Sequence, residues 1–196
     1  MEINRTFYSL PLKSTFEKWY SQTPDNFSFT AKIPRSVTHF GRLKKNLEDL
    51  EEFFERVEGL KEKFYAPLVQ LPPSLKFEKE SVESFSKFIR NLYGGKIFIE
   101  PRHESWKEVD VMEFGFYPVY AEPGIYWDKE FEMDTAYFRL HGSPKLYYSS
   151  YDEDFLKELA KRAVKYDEAV VIFNNTASGA AIENALRLKE LIDEAK

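Results

Sequence analysis

Charged and imidazole side chains follow the apolar run 97–99 in the segment KIFIEPRHESW, residues 96–106. Glu100, Arg102 and His103 stand where a core strand would end. Side chains alternate along a strand, so Glu100 and Arg102 are expected to share a face if the strand continues that far. Parallel strands that are covered on both faces are normally apolar throughout, so these charges require an explanation.

The same pattern recurs at the ends of other predicted strands. The polar residues expected to share a strand face are Glu2 with Asn4, Ser28 with Thr30 and Lys32, and Arg139 with His141. The three histidines of the chain, each at or after the end of a predicted strand, are His39, His103 and His141. We expect a shared pocket, because the carboxyl ends of the strands carry the active site in (β/α) barrels. The alternative is that the histidines only bond loop carbonyls.

These residue types suit acid–base chemistry on an anion. Arginine and lysine bind phosphate or carboxylate, a glutamate can act as the base, and imidazole titrates near neutral pH. The anion-binding candidates are Arg102, Arg139 and Lys32, the candidate bases Glu100 and Glu2, and the candidate acids His103 and His141. Alternatively, the cations are buried ion-pair partners of the two glutamates, although such pairs often stabilise little.

Two loops near the end of the chain have functional and structural interpretations. The segment IFNNTASGAA (172–181) is either a strand, turn and helix cap or an anion site at a helix start. In such barrels the loops after the last two strands often bind phosphate. Here these loops are RLHGSP and the FNNTASG part of 172–181. Tyr147, Tyr148 and Tyr151 could cover a ligand ring or only pack.

Metal and cofactor motifs are absent from the sequence. Three histidines with Glu2 and Glu100 could supply ligands, but no HxH or HExxH spacing occurs. There is no Walker loop, dinucleotide fingerprint or GxSxG elbow. We therefore expect neither a metal ligand nor a cofactor, and a metal site stays an alternative.

Short strand patterns alternate with amphipathic helical patterns along the chain. The predicted strands are 2–4, 27–33, 65–71, 96–100, 117–121, 135–141 and 169–174, and the predicted helices are 42–60, 81–95, 151–166 and 178–192. This alternation predicts a single TIM-like (β/α) barrel domain over residues 1–196, with a doubly wound open sheet as the alternative. Seven strands rather than eight predict an incomplete or open barrel, or a start placed too far downstream.

Composition narrows the function classes. The 196 residues carry a net charge of −5 and no cysteine, which excludes disulfides and cysteine nucleophiles and disfavours nucleic-acid binding through bulk charge. No apolar run of about 18 residues occurs, so a soluble, cytoplasmic protein without membrane association is expected. The 31% charged residues are typical of thermophilic proteins.

The successive blocks EINRTFYSLP, FTAKIPRSVTH, LVQLPPSLKF, IEPRHESW, YFRLHG, SYDEDFLKELA and IFNNTASGAAIENALRLKELI resemble the domain of unknown function 72 family, also called YecE-like proteins. The resemblance implies a TIM-barrel fold and a distant relation to sugar isomerases. The pocket residues that it implies are Glu2, Asn4, Lys32, His39, Glu100, Arg102, His103, Arg139, His141, Asn174 and Asn175. This chain lacks the family's glycine-rich GTSGW-like first strand, and it has Glu122 where the family tends to carry aspartate after the sixth strand.

The favoured hypothesis is an enzyme that acts on a small phosphorylated or carboxylated, sugar-like metabolite at the barrel mouth. The alternatives are a metal-assisted phosphodiester hydrolase, a non-catalytic nucleic-acid or ligand-binding module, and an inactive remnant. The expected partner is a small anionic molecule. The strand edge left exposed by a missing first strand also leaves a homodimer open.

Overall fold

The strands of the sheet follow one another in space as they do in the sequence. In the computed structural model, which describes residues 1–195, seven strands form one sheet in sequential order. They are β1 (Glu2–Ile3), β2 (Phe29–Lys32), β3 (Phe64–Gln70), β4 (Phe98–Glu100), β5 (Tyr117–Glu122), β6 (Thr135–Leu140) and β7 (Glu168–Phe173). A doubly wound sheet would reverse its strand order at a switch point, so that alternative is wrong. The fold is the predicted α/β, TIM-like barrel type with seven strands.

Six α-helices separate or follow the strands. They are α1 (Arg5–Tyr8), α2 (Lys13–Gln22), α3 (Glu48–Val57), α4 (Lys79–Leu92), α5 (Glu153–Ala163) and α6 (Ala180–Ala195). A π-helix spans Ser36–Phe40, and 3-10 helices span Glu58–Lys63, Glu104–Trp106 and Val111–Phe114. The last four α-helices match the four predicted helical segments, whereas α1 and α2 were not predicted.

The chain divides into two compact units, Met1–Tyr117 and Pro118–Lys196. The single domain over residues 1–196 therefore stays a prediction. Within residues 1–195, none of the helices has both the length and the apolar character needed to cross a bilayer.

The first unit buries one apolar stripe of each long helix. In α3 the buried residues are Leu50, Phe53, Phe54 and Val57, and in α4 they are Val82, Phe85 and Ile89. Their spacing of three or four residues places each set on one helix face. These stripes form part of the buried apolar core of the first unit.

The helix predicted over residues 42–60 begins six residues later in the structure, at Glu48. Arg42 and Leu43 have positive φ values of 52° and 65°, and Asn46 has a φ of 58°, so the backbone is not helical before Glu48. The following 3-10 turn contains Lys61 with a φ of 48°. Apart from Asn46, these residues give no sequence signal for the left-handed region, which explains the error.

Candidate functional site

One face of the first unit's sheet carries a polar side chain at or near the carboxyl end of each strand. In the parallel register Glu2 lies beside Thr30, Lys32 beside Leu68, and Gln70 beside Glu100. Paired residues of neighbouring parallel strands face the same side, and alternation carries this face along each strand. We call the side bearing Glu2, Thr30, Lys32, Gln70 and Glu100 the polar face. The opposite side carries the buried apolar residues Ile3, Ala31, Val69 and Ile99.

Glu100 and Arg102 form an ion pair at the end of β4. Nε and Nη2 of Arg102 each lie 2.7 Å from Oε1 of Glu100. Glu100 is buried, whereas about a third of the Arg102 side chain is exposed, at 32%. β4 ends at Glu100, so Arg102 lies beyond the strand, and the ion pair rather than strand alternation brings the two side chains together. The arrangement fixes a carboxylate in the interior and leaves part of a guanidinium reachable.

Lys32 ends β2 with a buried ammonium group. Its Nζ lies 4.1 Å from the centroid of the Phe7 ring, a favourable cation–π contact. The hydroxyl of Thr6 donates to the Lys32 carbonyl oxygen at 2.7 Å, which ties α1 to β2. Burial removes hydration from the ammonium group, so its charge must be balanced by contacts inside the protein or by a ligand.

His39 lies in the π-helix that follows β2, a rare element that is frequent at functional sites. Its Nδ1 is 3.0 Å from the Thr38 hydroxyl, and its ring contacts Phe7 edge-on with centroids 4.8 Å apart. Burial lowers the pKa of His39, and the charges of Lys32, Arg102 and Arg35 lower this pKa further. His39 is therefore neutral at pH 7 and lies among positive charges.

His103 has a structural task. Its Nδ1 accepts a hydrogen bond from the Ser105 backbone N–H at 3.0 Å and lies 2.9 Å from the Ser105 hydroxyl. The side chain thereby caps the 3-10 helix Glu104–Trp106. This geometry favours the structural interpretation for His103.

The remaining first-unit candidates lie at the start of the chain. Glu2 is half-buried on the polar face, whereas Asn4 is exposed. Asn4 precedes α1 at the N-cap position, but its side chain makes no capping hydrogen bond. Its position two residues after Glu2 is the only structural support for its predicted role.

In the second unit, Arg139, His141 and Asn174 continue one sheet face. Arg139 lies beside Ile172 in the register, so His141 and Asn174 each follow two residues later. Arg139 and His141 are buried. Nδ1 of His141 lies 3.2 Å from the Glu122 carbonyl oxygen, which only accepts, so Nδ1 carries the proton.

Asn175 and Asn174 differ in their hydrogen bonding. The buried amide of Asn175 donates to the Ser149 carbonyl and to Oδ1 of Asn184, both at 2.9 Å. Within residues 1–195, Oδ1 of Asn175 and Nδ2 of Asn174 are buried atoms without a hydrogen-bond partner. Asn175 thus supports the loop before α5, whereas the Asn174 amide donor has no such role among residues 1–195.

Asn184 was missed by the sequence reasoning. It is buried, accepts from the Tyr151 backbone N–H at 3.1 Å, and donates to the Tyr151 carbonyl at 3.2 Å. A signal was present, because the buried positions of α6 are Ala180, Asn184, Leu188 and Leu191, and a polar residue interrupts this apolar stripe.

Glu122 is held by a tyrosine. The Tyr151 hydroxyl donates to Oε2 of Glu122 at 2.5 Å and accepts from the Gly142 backbone N–H at 2.7 Å. Burial raises the pKa of Tyr151, and the bond to Glu122 raises this pKa further. Glu122 is therefore linked through Tyr151 to the loop after β6.

Metal ligands do not gather in the described part of the chain. Among residues 1–195, no three His, Asp or Glu side chains are grouped closely enough to hold a metal ion. The geometry thus gives no support to the alternative in which three histidines and two glutamates bind a metal.

Solved structures share this fold over nearly the whole chain. A DUF72 family protein from Thermotoga maritima matches with a TM-score of 0.82 and 31% identity, covering 98% of this chain and 84% of that one. A DUF72 family protein from Enterococcus faecalis matches with a TM-score of 0.78 and 22% identity, covering 98% and 89%. The second likeness shows the fold alone.

Curated relatives agree with the structural matches. UPF0759 protein YunF of Bacillus subtilis is 23% identical over 234 residues, covering 98% of this chain and 83% of the relative. UPF0759 protein YecE of Escherichia coli is 29% identical over 104 residues, covering 53% of this chain and 38% of the relative. The family model described as "Protein of unknown function DUF72" matches residues 1–196. The resemblance of the sequence blocks is thereby confirmed, and the chain belongs to the DUF72 family.

Proposed function

We propose that the protein is an enzyme that acts on a small phosphorylated or carboxylated metabolite by acid–base chemistry, with its site at the carboxyl end of the first unit's polar face. The observation that carries this proposal is the convergence of different charges there. Lys32 and Arg102 supply positive charge, Glu100 supplies a buried carboxylate, and His39 lies beside the two cations.

The cations are suited to hold the anionic group. About a third of the Arg102 side chain is exposed, at 32%, and the planar fork of arginine matches two oxygens of a phosphate or carboxylate. Lys32 adds a compact charge that is already desolvated. A bound anion offsets the positive charge around His39 and therefore raises the pKa of its imidazole.

The proton-transfer groups follow from the same geometry. Glu100 is the base of the proposal, because its carboxylate is fixed by Arg102 at the end of a rigid strand. His39 takes the role of the acid, because anion binding favours its protonated form. His103 is not assigned the role of the acid, because its Nδ1 caps a turn. Arg139, His141 and Asn174 of the second unit stay candidates for substrate binding.

The test is a metabolite screen with matched variants. The protein and its Glu100→Gln, Lys32→Met and Lys18→Met variants are incubated with mixed phosphorylated and carboxylated metabolites, and mass spectrometry follows consumption. Lys18 is an exposed lysine of α2 and serves as the control. We expect one compound to be consumed by wild type and Lys18→Met but not by Glu100→Gln. Consumption that is unchanged in Glu100→Gln contradicts the proposal.

A further inference from the structure

We infer that the ligand of this site carries a flat heterocyclic ring in addition to its phosphate, as a nucleoside monophosphate does, and that the ring binds against the exposed side chains of Tyr8 and Phe40. The inference rests on the proposed function, because it names the class of molecule that the Lys32, His39 and Arg102 site accepts. The supporting residues are exposed side chains of the first unit.

Two large aromatic rings are exposed where polar residues would be expected. Tyr8 at the end of α1 is 67% exposed, and Phe40 at the end of the π-helix is 68% exposed. A single exposed apolar side chain is ordinary. These two are related by a third residue, because the Arg35 guanidinium carbon lies 5.4 Å from the centroid of each ring. We call Tyr8, Arg35 and Phe40 the aromatic rim.

The N–H donors of the Arg35 guanidinium have no hydrogen-bond acceptor within residues 1–195. Within residues 1–195 its only cation–π contacts are with the Tyr8 and Phe40 rings, and it makes no hydrogen bond or ion pair. A guanidinium combines a flat surface for stacking with five N–H donors. It can therefore pack against a ligand ring while donating to ligand oxygens.

The aromatic rim is continuous with the anion-binding residues through one ring. Phe7 contacts Tyr8 edge-on with centroids 4.9 Å apart, and it contacts His39 in the same way at 4.8 Å. Lys32 lies over the same Phe7 ring. The charge of Arg35 also contributes to the lowered pKa of His39. Phe7 thus contacts Tyr8 of the aromatic rim as well as Lys32 and His39 of the anion site.

The cleft beside the rim fits such a ligand in size and chemistry. It has a volume of about 320 Å³ and is lined in part by Tyr8, Arg35, Phe40 and Asp49. Small-ligand pockets start at roughly 300 Å³, so a nucleoside fits and a much larger molecule does not. The half-buried carboxylate of Asp49 has no hydrogen-bond partner among residues 1–195. It can accept from an amino group on a heterocycle, which a sugar phosphate without a base does not offer.

The test compares two ribose phosphates, one with and one without a heterocyclic base. Isothermal titration calorimetry measures binding of adenosine 5′-monophosphate and of ribose 5-phosphate to the wild-type protein and to a Tyr8→Ala, Phe40→Ala double variant. Both side chains are exposed, so the double variant is expected to fold. Tyr148→Ala, with a ring 50% exposed in the second unit, is the matched control.

We expect wild type and the control to bind the nucleotide about fivefold or more tighter than ribose 5-phosphate, because stacking of a base on an aromatic ring contributes at least that much. The double variant should lose this preference and keep its affinity for ribose 5-phosphate. Equal affinities in wild type would overturn the inference while leaving the anion site intact. Failure of both to bind also overturns it, and the metabolite screen then decides separately on the proposed function. A single-stranded oligonucleotide that binds more than a hundredfold tighter than the mononucleotide would replace the inferred ligand class with a polymer.

Discussion

Arg102 lies against the Glu100 carboxylate with Nε and Nη2 both 2.7 Å from the same oxygen, Oε1. The carboxylate side of the pair is buried, and the guanidinium side is partly exposed. An anion that reaches Arg102 must therefore compete with Glu100 for one guanidinium. Through this contact, anion binding to Arg102 is coupled to the charge of Glu100, the proposed base.

Replacing Glu100 by glutamine should strengthen anion binding. The Glu100→Gln variant keeps the shape of the side chain and removes the charge that Arg102 neutralises. Because a partly exposed ion pair is worth roughly 1 kcal/mol, affinity for inorganic phosphate should rise about fivefold. Calorimetric titration with phosphate measures this change. Glu78→Gln, which breaks the exposed pair with Lys44, is the control and should leave affinity unchanged. An affinity that does not rise in Glu100→Gln would show that Arg102 does not bind the anion.

Folding stability should depend on His39 below neutral pH. The pKa of His39 is lowered in the folded state from its ordinary value of 6.5, so the unfolded chain binds the proton more readily. The free energy of unfolding should therefore decrease as the pH falls from 6.5 towards the folded pKa. Urea denaturation at several pH values measures this slope. His39→Gln should flatten it, whereas His103→Gln should retain it. An equal slope in wild type and His39→Gln would contradict the placement of His39.

Replacing Asn184 or Asn174 of the second unit by alanine should change the free energy of unfolding by different amounts. Asn184→Ala leaves the Tyr151 backbone N–H without its acceptor and removes one of the two acceptors of the Asn175 amide, so we expect a loss of about 2–3 kcal/mol. Asn174→Ala removes a donor that has no partner, so it should be neutral within about 0.5 kcal/mol. Urea unfolding midpoints compare the two variants. Equal destabilisation would mean that Asn174 is a structural residue rather than a ligand contact.

The Tyr151 hydroxyl should hold the loop after β6. Tyr151→Phe leaves the Gly142 N–H and the Glu122 carboxylate without this partner, and the expected loss is about 1–3 kcal/mol. The pKa of Tyr151 is raised in the folded state, so the stabilising contribution is present below pH 10 and is lost as the pH rises above the unfolded value. Thermal unfolding at pH 7 and pH 10.5 tests both statements. Tyr148→Phe, an exposed ring, should change stability little, and a similar small change in Tyr151→Phe would contradict the account.

The sequence predicted the strands better than the roles of their terminal side chains. Apolar runs and alternation are local properties, so the seven strands were located to within about two residues at most ends. In the sequence His39 and His103 both follow strands and look alike. Only the backbone distinguishes them, since a π-helix places His39 beside Lys32 and Phe7, whereas a 3-10 turn uses His103 as its cap.

The helices show the same limit. The amphipathic spacing of Leu50, Phe54 and Val57 located α3, because a stripe of this kind is repeated over several turns. In α2 only Phe16 is fully buried, and its pattern is too short to be recognised. Pairings between distant residues, such as Asn175 with Asn184, depend on how the elements pack and cannot be obtained from spacing alone.

The most direct measurement is an NMR titration of the His39 ring with and without inorganic phosphate. Without phosphate, the imidazole protons should report a pKa below 6.5, because burial and the neighbouring cations oppose protonation. Phosphate should raise this pKa, and the Lys32→Met variant should weaken the response to phosphate. A His39 pKa that is unchanged by saturating phosphate would contradict the claim that the polar face of the first unit is an anion-binding site.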